Sequence, residues 1–349
     1  STVHELTIAV VGSTGAVGTE FLRIVESRLP QLPNIKALAS SRSAGKVLTV
    51  GGRDIVVEET TEASFQGVDI AFISVSTEMS LKFAPMAVAA GAVVIDDSSA
   101  FRMDNTVPLV VPEVNGEDVE WHQGITAIPN CSTTPIVMLC HPLRRENSIL
   151  RIVADTYQSV SGAGGAAMTE LESQSRQLLE GKEKVQAEAL DQQIAFNVFP
   201  HIDRFLDDGY TNEERKMMQE TRKIMHAPDI AISATCVRVP VYVSHSAAVH
   251  LEFERPMSPE EAREILEATP GVTVLDDPSR AQYPMPKDVA GADDVFVGRI
   301  RRDASHPNGL VMWVVSDNLR KGAALNSIQI AEELVARKCL PRHQSSVAR

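Results

Sequence analysis

One junction restricts the fold more than any other stretch of the chain. Val10-Val11-Gly12-Ser13-Thr14-Gly15-Ala16-Val17-Gly18 links a run of apolar residues to a helical pattern. Leu6–Val11 reads as a buried strand, and Gly15–Leu29 as a helix with Phe21, Ile24 and Val25 on one face. Small residues at such a turn let a pyrophosphate approach the backbone, where a helix start offers free N–H groups and a positive dipole end. The spacing is GxxGxxG rather than GxGxxG, with the same mechanics. Gly12, Ser13, Thr14, Gly15, Ala16 and Val17 are therefore candidate cofactor contacts.

Further strands are expected at Ile35–Ala39, Val68–Ser74 and Ala92–Asp96, with a helix at Glu78–Ala90 and a short hairpin holding Asp54–Glu58 after Gly51-Gly52. Alternating strands and helices predict a doubly wound, Rossmann-type parallel sheet. A dinucleotide site of this kind places an acid after the second strand when it holds a free ribose 2′-hydroxyl. Here the segment is Ala39-Ser40-Ser41-Arg42-Ser43, with hydroxyls and one cation. Ser40, Ser41, Arg42 and Ser43 suit a 2′-phosphate, so NADP is expected over NAD.

The pattern changes near Cys131. Cys131–Leu143 reads as a helix, followed by longer strands at Ile149–Val160, Asp229–Val239, Ala247–Glu254, Asp294–Ile300 and Leu310–Ser316. Helices fall near Ala166–Leu179 and Asn212–Met225, and Ser258-Pro259-Glu260-Glu261 is a capping-box helix start. This predicts an α+β second domain over residues 131–321. A nucleotide-binding domain takes residues 1–130 and 322–349, since the helix expected at Lys321–Arg337 can return to the first sheet.

Composition narrows the function classes. The chain has 349 residues, 44% hydrophobic and 23% charged, as in folded soluble proteins. Its formal charge of −13 and 5% aromatic content disfavour a nucleic-acid partner. Four cysteines without CxxC spacing argue against a disulfide framework or a zinc site. No signal-peptide pattern or membrane-length apolar run is evident, so a soluble cytoplasmic protein without a membrane partner is expected.

Cys131 lies in Ile128-Pro129-Asn130-Cys131-Ser132-Thr133-Thr134-Pro135, at the expected helix start. A thiol there feels the positive helix end, which favours the nucleophilic thiolate. Asn130 and first-turn N–H groups can donate to a developing oxyanion. Cys140, expected mid-helix, and Cys236, expected in a strand, read as structural.

Five blocks in order carry a family resemblance: GSTGAVG at 12–18, IPNCSTTP at 128–135, TYQSVSGAGGAA at 156–167, RVPVYVSHS at 238–246 and SDNLRKGAALNSIQIAEEL at 316–334. Together they resemble the aspartate-semialdehyde dehydrogenases, whose second domain is of the glyceraldehyde-3-phosphate dehydrogenase-like kind. The resemblance implies Cys131 as the nucleophile that forms a thioacyl enzyme and His245 as general acid/base. It implies Arg238 as the grip on the substrate carboxylate and Glu220 as the contact for its amine. Lys223 and Arg102 become phosphate ligands, and Gln158 orients the acyl intermediate. Ser161, Gly162 and Asn318 become cofactor contacts. Ser244 stands where members commonly carry Gly.

The implied reaction is NADPH-dependent reduction of L-aspartyl phosphate to the semialdehyde in a homodimer or homotetramer. Relatives on the same scaffold reduce N-acetyl-γ-glutamyl phosphate or malonyl-CoA. The first typically reads Pro-Gly-Cys-Tyr-Pro-Thr at the cysteine, and the second has no need of a phosphate-binding pair. A catalytically silent NADP-binding protein would lack one of Cys131, Gln158, Arg238 or His245.

Overall fold

In the computed structural model, which describes residues 2–341, the chain forms two units. One comprises the residues up to Asn130 together with the chain from Ala323 onward; the other is Cys131–Gly322. Among the described residues no helix is long and apolar enough to cross a membrane.

The first unit is built on a six-stranded parallel sheet. Its order is Glu58–Glu59, Asn34–Ala39, Thr7–Val11, Ile70–Ile73, Val93–Asp96 and Ile125–Ala127. Ile8–Val11, Ile70–Ile73 and Val93–Ile95 are apolar and buried because helices cover both faces of the sheet. On one face Ile8, Val10, Phe21, Ile24 and Phe72 pack with Ile328 and Leu334 of the helix Leu325–Ala336. On the other, Ala9, Val11 and Ile73 pack with Phe83, Ala84 and Ala87 of the helix Thr77–Ala89. After Thr7–Val11 the chain goes first to one side of that strand and then to the other. The strand order therefore reverses beside the glycine-rich turn, which is where open α/β sheets bind ligands.

The second unit holds a mixed six-stranded sheet in the order Ala231–Arg238, Ile149–Gln158, His245–Phe253, Gly309–Ser316, Val295–Arg302 and Val272–Val274. The two outermost pairs are parallel and the inner ones antiparallel. Register sets Arg238 opposite Gln158 and His245 opposite Ser316. The alternation this sheet requires places Thr156 and Gln158 on one face and the half-exposed Tyr157 on the other.

Several expectations shift. The helix expected from Cys131 starts at Thr134 and runs to Glu146, while residues 131–133 form a turn. Pro135 accounts for this start, since a residue without an N–H is tolerated in the first helical turn, where that N–H is unused. The helix expected over Lys321–Arg337 is a π-turn at Arg320–Ala324 followed by an α-helix over Leu325–Ala336. The hairpin pairs Val47–Val50 with Arg53–Val56, earlier in the chain than expected. Three short strands were not anticipated: Glu58–Glu59, Ile125–Ala127 and Val272–Val274. Runs of two or three residues carry too little periodicity to stand out.

Candidate active site

Cys131 and His245, separated by 114 positions in the chain, meet with Sγ and Nε2 3.2 Å apart. Cys131 is partly exposed, and His245 is buried as the first residue of its strand. Cys131 lies two residues before the helix N-cap, Thr133, in the turn that leads into the helix. The imidazole is a close polar neighbour of the sulfur. Cys140 is fully buried, and that burial pushes its thiol up to about 12. Cys236 is likewise pushed up by burial and by the nearby Glu213 carboxylate. Neither is a nucleophile.

The other imidazole nitrogen defines the proton on His245. The backbone N–H of Ser159 donates to Nδ1 at 3.0 Å, and the Ser159 hydroxyl lies 3.1 Å from the same atom. A backbone N–H can only donate, so Nδ1 is the acceptor and the ring carries its proton on Nε2, facing the sulfur. Burial, with the Arg238 guanidinium nearby, holds the imidazole well below its ordinary range, at about 3. The resting ring is neutral.

Asn318 braces this arrangement. Its Oδ1 accepts from the Ser244 backbone N–H at 2.8 Å and from the hydroxyls of Ser159 and Ser161, while its Nδ2 donates to Ser161 at 2.9 Å. Ser244 adopts φ 82°, in the left-handed region that favours glycine. This backbone turns the chain into His245. A Cβ on Gly162 would lie 3.1 Å from His245 Nε2, so only glycine leaves the ring its position without a shift. Gly322 plays the same part for the cysteine: a Cβ there would stand 3.1 Å from Cys131 Cβ. The π-turn, which sequence periodicity could not reveal, carries this glycine.

Arg238 is buried, donates from Nη1 to the Ser159 carbonyl at 2.8 Å, and leaves its buried Nε without a hydrogen-bond partner. A buried guanidinium with spare N–H capacity fits a carboxylate, the ligand its planar fork matches best. Gln158 is buried beside it in register, its Oε1 accepting from Thr156 and its Nε2 donating to Glu213. Glu220 is also buried and accepts from Thr133 at 3.2 Å, which ties the helix Asn212–Ile224 to the turn after Cys131. Lys223 follows one turn later on that helix, half-buried. Glu213 is the functional candidate missed in the sequence. Its signal was its place in the first turn of a helix after Thr211, which also describes any surface helix.

In the nucleotide-binding unit, Gly12 has φ 84°, and a Cβ there would fall 2.1 Å from the Ser74 carbonyl oxygen. A Cβ on Gly18 would fall 2.1 Å from the Gly12 oxygen, whereas Gly15 meets nothing closer than 3.5 Å. The first and third glycines are thus sterically required, and the middle one is not. Gly12 and Ser13 donate backbone N–H groups to the Leu38 carbonyl, as does the Ser13 hydroxyl. The first α-helical bond here is from Thr19 N–H to Gly15, which leaves Ala16, Val17 and Gly18 as first-turn donors. The closed glycine cradle and these donors fit a pyrophosphate.

Thr14 and Ser43 hydroxyls lie 3.4 Å apart, so the glycine turn and the segment after the second strand meet. Ser40, Ser41 and Arg42 are exposed there. The unforeseen edge strand brings Glu58 and Glu59 into register with Leu38 and Ala39, so carboxylates do reach this end of the sheet.

Arg102 and Asn130 belong to this unit and are both buried. Arg102 Nε donates to the Ile128 carbonyl at 2.9 Å, and its Nη2 stands 3.9 Å from Asp97. Asp97 also accepts from Ser74. Its carboxyl is raised to about 7 by burial, opposed by Arg102 and reinforced by Asp96. Among the described residues no His, Cys, Asp and Glu cluster could hold a metal ion.

Residues 7–122 match a family model described as semialdehyde dehydrogenase, NAD binding domain, and residues 140–321 one described as semialdehyde dehydrogenase, dimerisation domain. The chain is 52% identical over 331 residues to an aspartate-semialdehyde dehydrogenase of Aquifex aeolicus, covering 94% of this chain and 97% of that protein. It is 49% identical over 337 residues to the corresponding protein of Bacillus subtilis, covering 94% and 97%. Among solved structures, aspartate semialdehyde dehydrogenase II of Vibrio cholerae complexed with ASA has a TM-score of 0.92 at 44% identity, covering 95% of this chain and 98% of that one. A Candida albicans aspartate semialdehyde dehydrogenase with NADP scores 0.74 at 28% identity, covering 95% and 99%. With its glycine-rich nucleotide turn in one unit and its cysteine–histidine pair in the other, the chain belongs to the aspartate-semialdehyde dehydrogenase family.

Proposed function

We propose that the protein reduces L-aspartyl 4-phosphate to L-aspartate 4-semialdehyde with NADPH, reversibly, through a thioester on Cys131. The observation that carries this reading is the 3.2 Å contact between Cys131 and His245 beside the buried, incompletely paired Arg238. Arg238 grips the substrate α-carboxylate and Glu220 its amine. Arg102 and Lys223 bind phosphate, and Asn130 supports the oxyanion. Gly12 to Val17, Ser40 to Ser43, Ser161, Gly162 and Asn318 hold the dinucleotide, with Arg42 favouring the 2′-phosphate.

The Cys131 thiolate adds to the acyl carbon; the new C–S bond replaces the C–O bond, and phosphate departs with that electron pair. In the tautomer set by Ser159, His245 donates its Nε2–H toward the sulfur and so stabilises the thiolate. This is a hydrogen-bond role at the resting site, narrower than the proton uptake implied by the family resemblance. Gln158 holds the thioester carbonyl in place. The nicotinamide, when bound, supplies the hydride. The resulting tetrahedral alkoxide on Cys131 re-forms its C=O as the C–S bond breaks, and the sulfur departs with that electron pair as thiolate toward the Nε2–H of His245.

The half-exposed Tyr157 packs its ring 5.4 Å from Trp313 on the outer sheet face, beside a cleft of about 380 Å³ lined by Tyr283, Met285, Arg299 and Arg301. That apolar face supports assembly as a homodimer through the second unit. The function is tested with L-aspartate semialdehyde and NADP, with and without phosphate. Phosphate-dependent NADPH formation that vanishes in Cys131→Ala is expected. Turnover with N-acetyl-glutamyl or CoA substrates instead would overturn the assignment.

A further inference from the structure

Glu213 is a buried carboxylate within the substrate-binding machinery, and no step above uses it. It occupies the first turn of the helix Asn212–Ile224, where the macrodipole favours negative charge. Its Oε2 accepts from Gln158 Nε2 at 2.9 Å, while Thr156 donates to Gln158 Oε1 at 2.8 Å. An amide has two orientations related by a flip, and these two partners select one. Carboxylate oxygens accept only, so Glu213 compels the NH2 end of Gln158 to face it, and the Thr156 hydroxyl completes the assignment.

The second connection is electrostatic. After burial, Glu213 is the strongest electrostatic influence on the Arg238 guanidinium, ahead of Cys131, Cys236 and Asp191. Arg238 and Gln158 are direct neighbours across two parallel strands, so one carboxylate serves both. Among the described residues Arg238 forms no ion pair of the kind Arg263 forms with Asp276 at 2.6 Å. Charge compensation without a close bidentate pair leaves the fork available to a ligand.

We propose that Glu213 is a positioning residue for this reaction, orienting the Gln158 amide and moderating the charge with which Arg238 receives the substrate carboxylate. This rests on the roles given above to Gln158 and Arg238. The two effects oppose each other in a way a structural carboxylate would not produce. In Glu213→Gln the shape and one acceptor remain, but the Gln–Gln pair has two hydrogen-bonding arrangements, so the Gln158 amide is no longer held in one. Loss of the negative charge simultaneously strengthens the field of Arg238.

The test compares wild type, Glu213→Gln and Glu213→Asp in the semialdehyde assay, and in a cofactor-free assay of Cys131 alkylation by iodoacetamide. In the latter, L-aspartate serves as the protecting carboxylate probe. For Glu213→Gln, kcat is expected to fall about tenfold, with KM for the semialdehyde and the protecting concentration of L-aspartate both falling roughly threefold. For Glu213→Asp, which keeps the charge but withdraws the oxygen, kcat falls with KM and protection near wild type.

A rise in KM and in the protecting concentration for Glu213→Gln, or unchanged kcat in both variants, would overturn the proposal. If either variant fails to fold, the other still reports one of the two effects. The wild-type semialdehyde assay judges the functional reading separately, because aspartate protection needs neither cofactor nor turnover.

Discussion

The Ser159 backbone N–H donates to His245 Nδ1 at 3.0 Å, and this single main-chain bond decides which face of the imidazole bears the proton. The opposite nitrogen, 3.2 Å from Cys131 Sγ, becomes a donor to that sulfur. No side-chain substitution at 159 removes that N–H except proline. The tautomer is thus a property of the backbone path after the strand Ile149–Gln158.

His245 should make the protein less stable in acid. Its value falls from 6.5 unfolded to about 3 folded, because burial and Arg238 oppose the charged ring. Between those values the unfolded chain binds a proton that the native protein refuses. The contribution is complete above pH 6.5 and is lost as pH falls through about 3, a swing of about 5 kcal/mol. Chemical denaturation of His245→Asn across this range should show a flatter pH dependence than wild type. Parallel curves would mean that the native ring charges freely.

Asp97 acts with the opposite sign. Its carboxyl is raised from 3.8 to about 7, chiefly by burial, so the native protein keeps a proton that the unfolded chain releases. This contribution is complete below pH 3.8 and is lost as pH rises through about 7. Over much of the same range it counters His245. Asp97→Asn should therefore steepen the net loss of stability toward acid, and the double variant with His245→Asn should restore a shallow profile. A thermal-unfolding series from pH 4 to 8 separates the two; a profile unchanged by Asp97→Asn refutes the buried proton.

Gly162→Ala should lower kcat without comparable loss of fold. Its new Cβ would press on the His245 ring at 3.1 Å, and displacing a reacting group by a few tenths of an ångström costs about tenfold or more in rate. Gly12→Ala is a different case, with a Cβ 2.1 Å from a backbone oxygen at φ 84°. There the expected outcome is loss of dinucleotide affinity together with destabilisation of about 2 kcal/mol or more. Calorimetry and steady-state kinetics on both variants distinguish these results, and equal melting losses would contradict the assignment.

Arg42→Asp should impair NADP use far more than NAD use. The exposed guanidinium follows a strand with no acid in its own turn, although Glu58 and Glu59 stand in register beside that strand. Removing one cation from a 2′-phosphate contact costs about 1.5–3 kcal/mol, or roughly ten- to a hundredfold in kcat/KM for NADP. Equal losses with both cofactors would rule out the 2′-phosphate contact.

The nucleotide-binding sheet was legible because its signals are local. Gly12 and Gly18 sit within one strand–turn–helix, and the apolar runs Leu6–Val11 and Val93–Asp96 announce strands buried on both faces. The same locality made Cys131 stand out among four cysteines. Its helix start was placed too early, since Pro135 lies in the first turn of a helix that begins at Thr134.

The order of apolar runs and glycines determined the parallel sheet and its dinucleotide turn, because an apolar run and a strand–glycine–helix junction are signals carried by adjacent residues. Tertiary structure decided which groups surround the sulfur and in what protonation state. His245 is 114 residues from Cys131, Glu213 is 55 from Gln158, and the π-turn that seats Gly322 against Cys131 leaves no periodic trace. Such contacts arise from strand register and chain closure, and no spacing within the sequence encodes the distance between them.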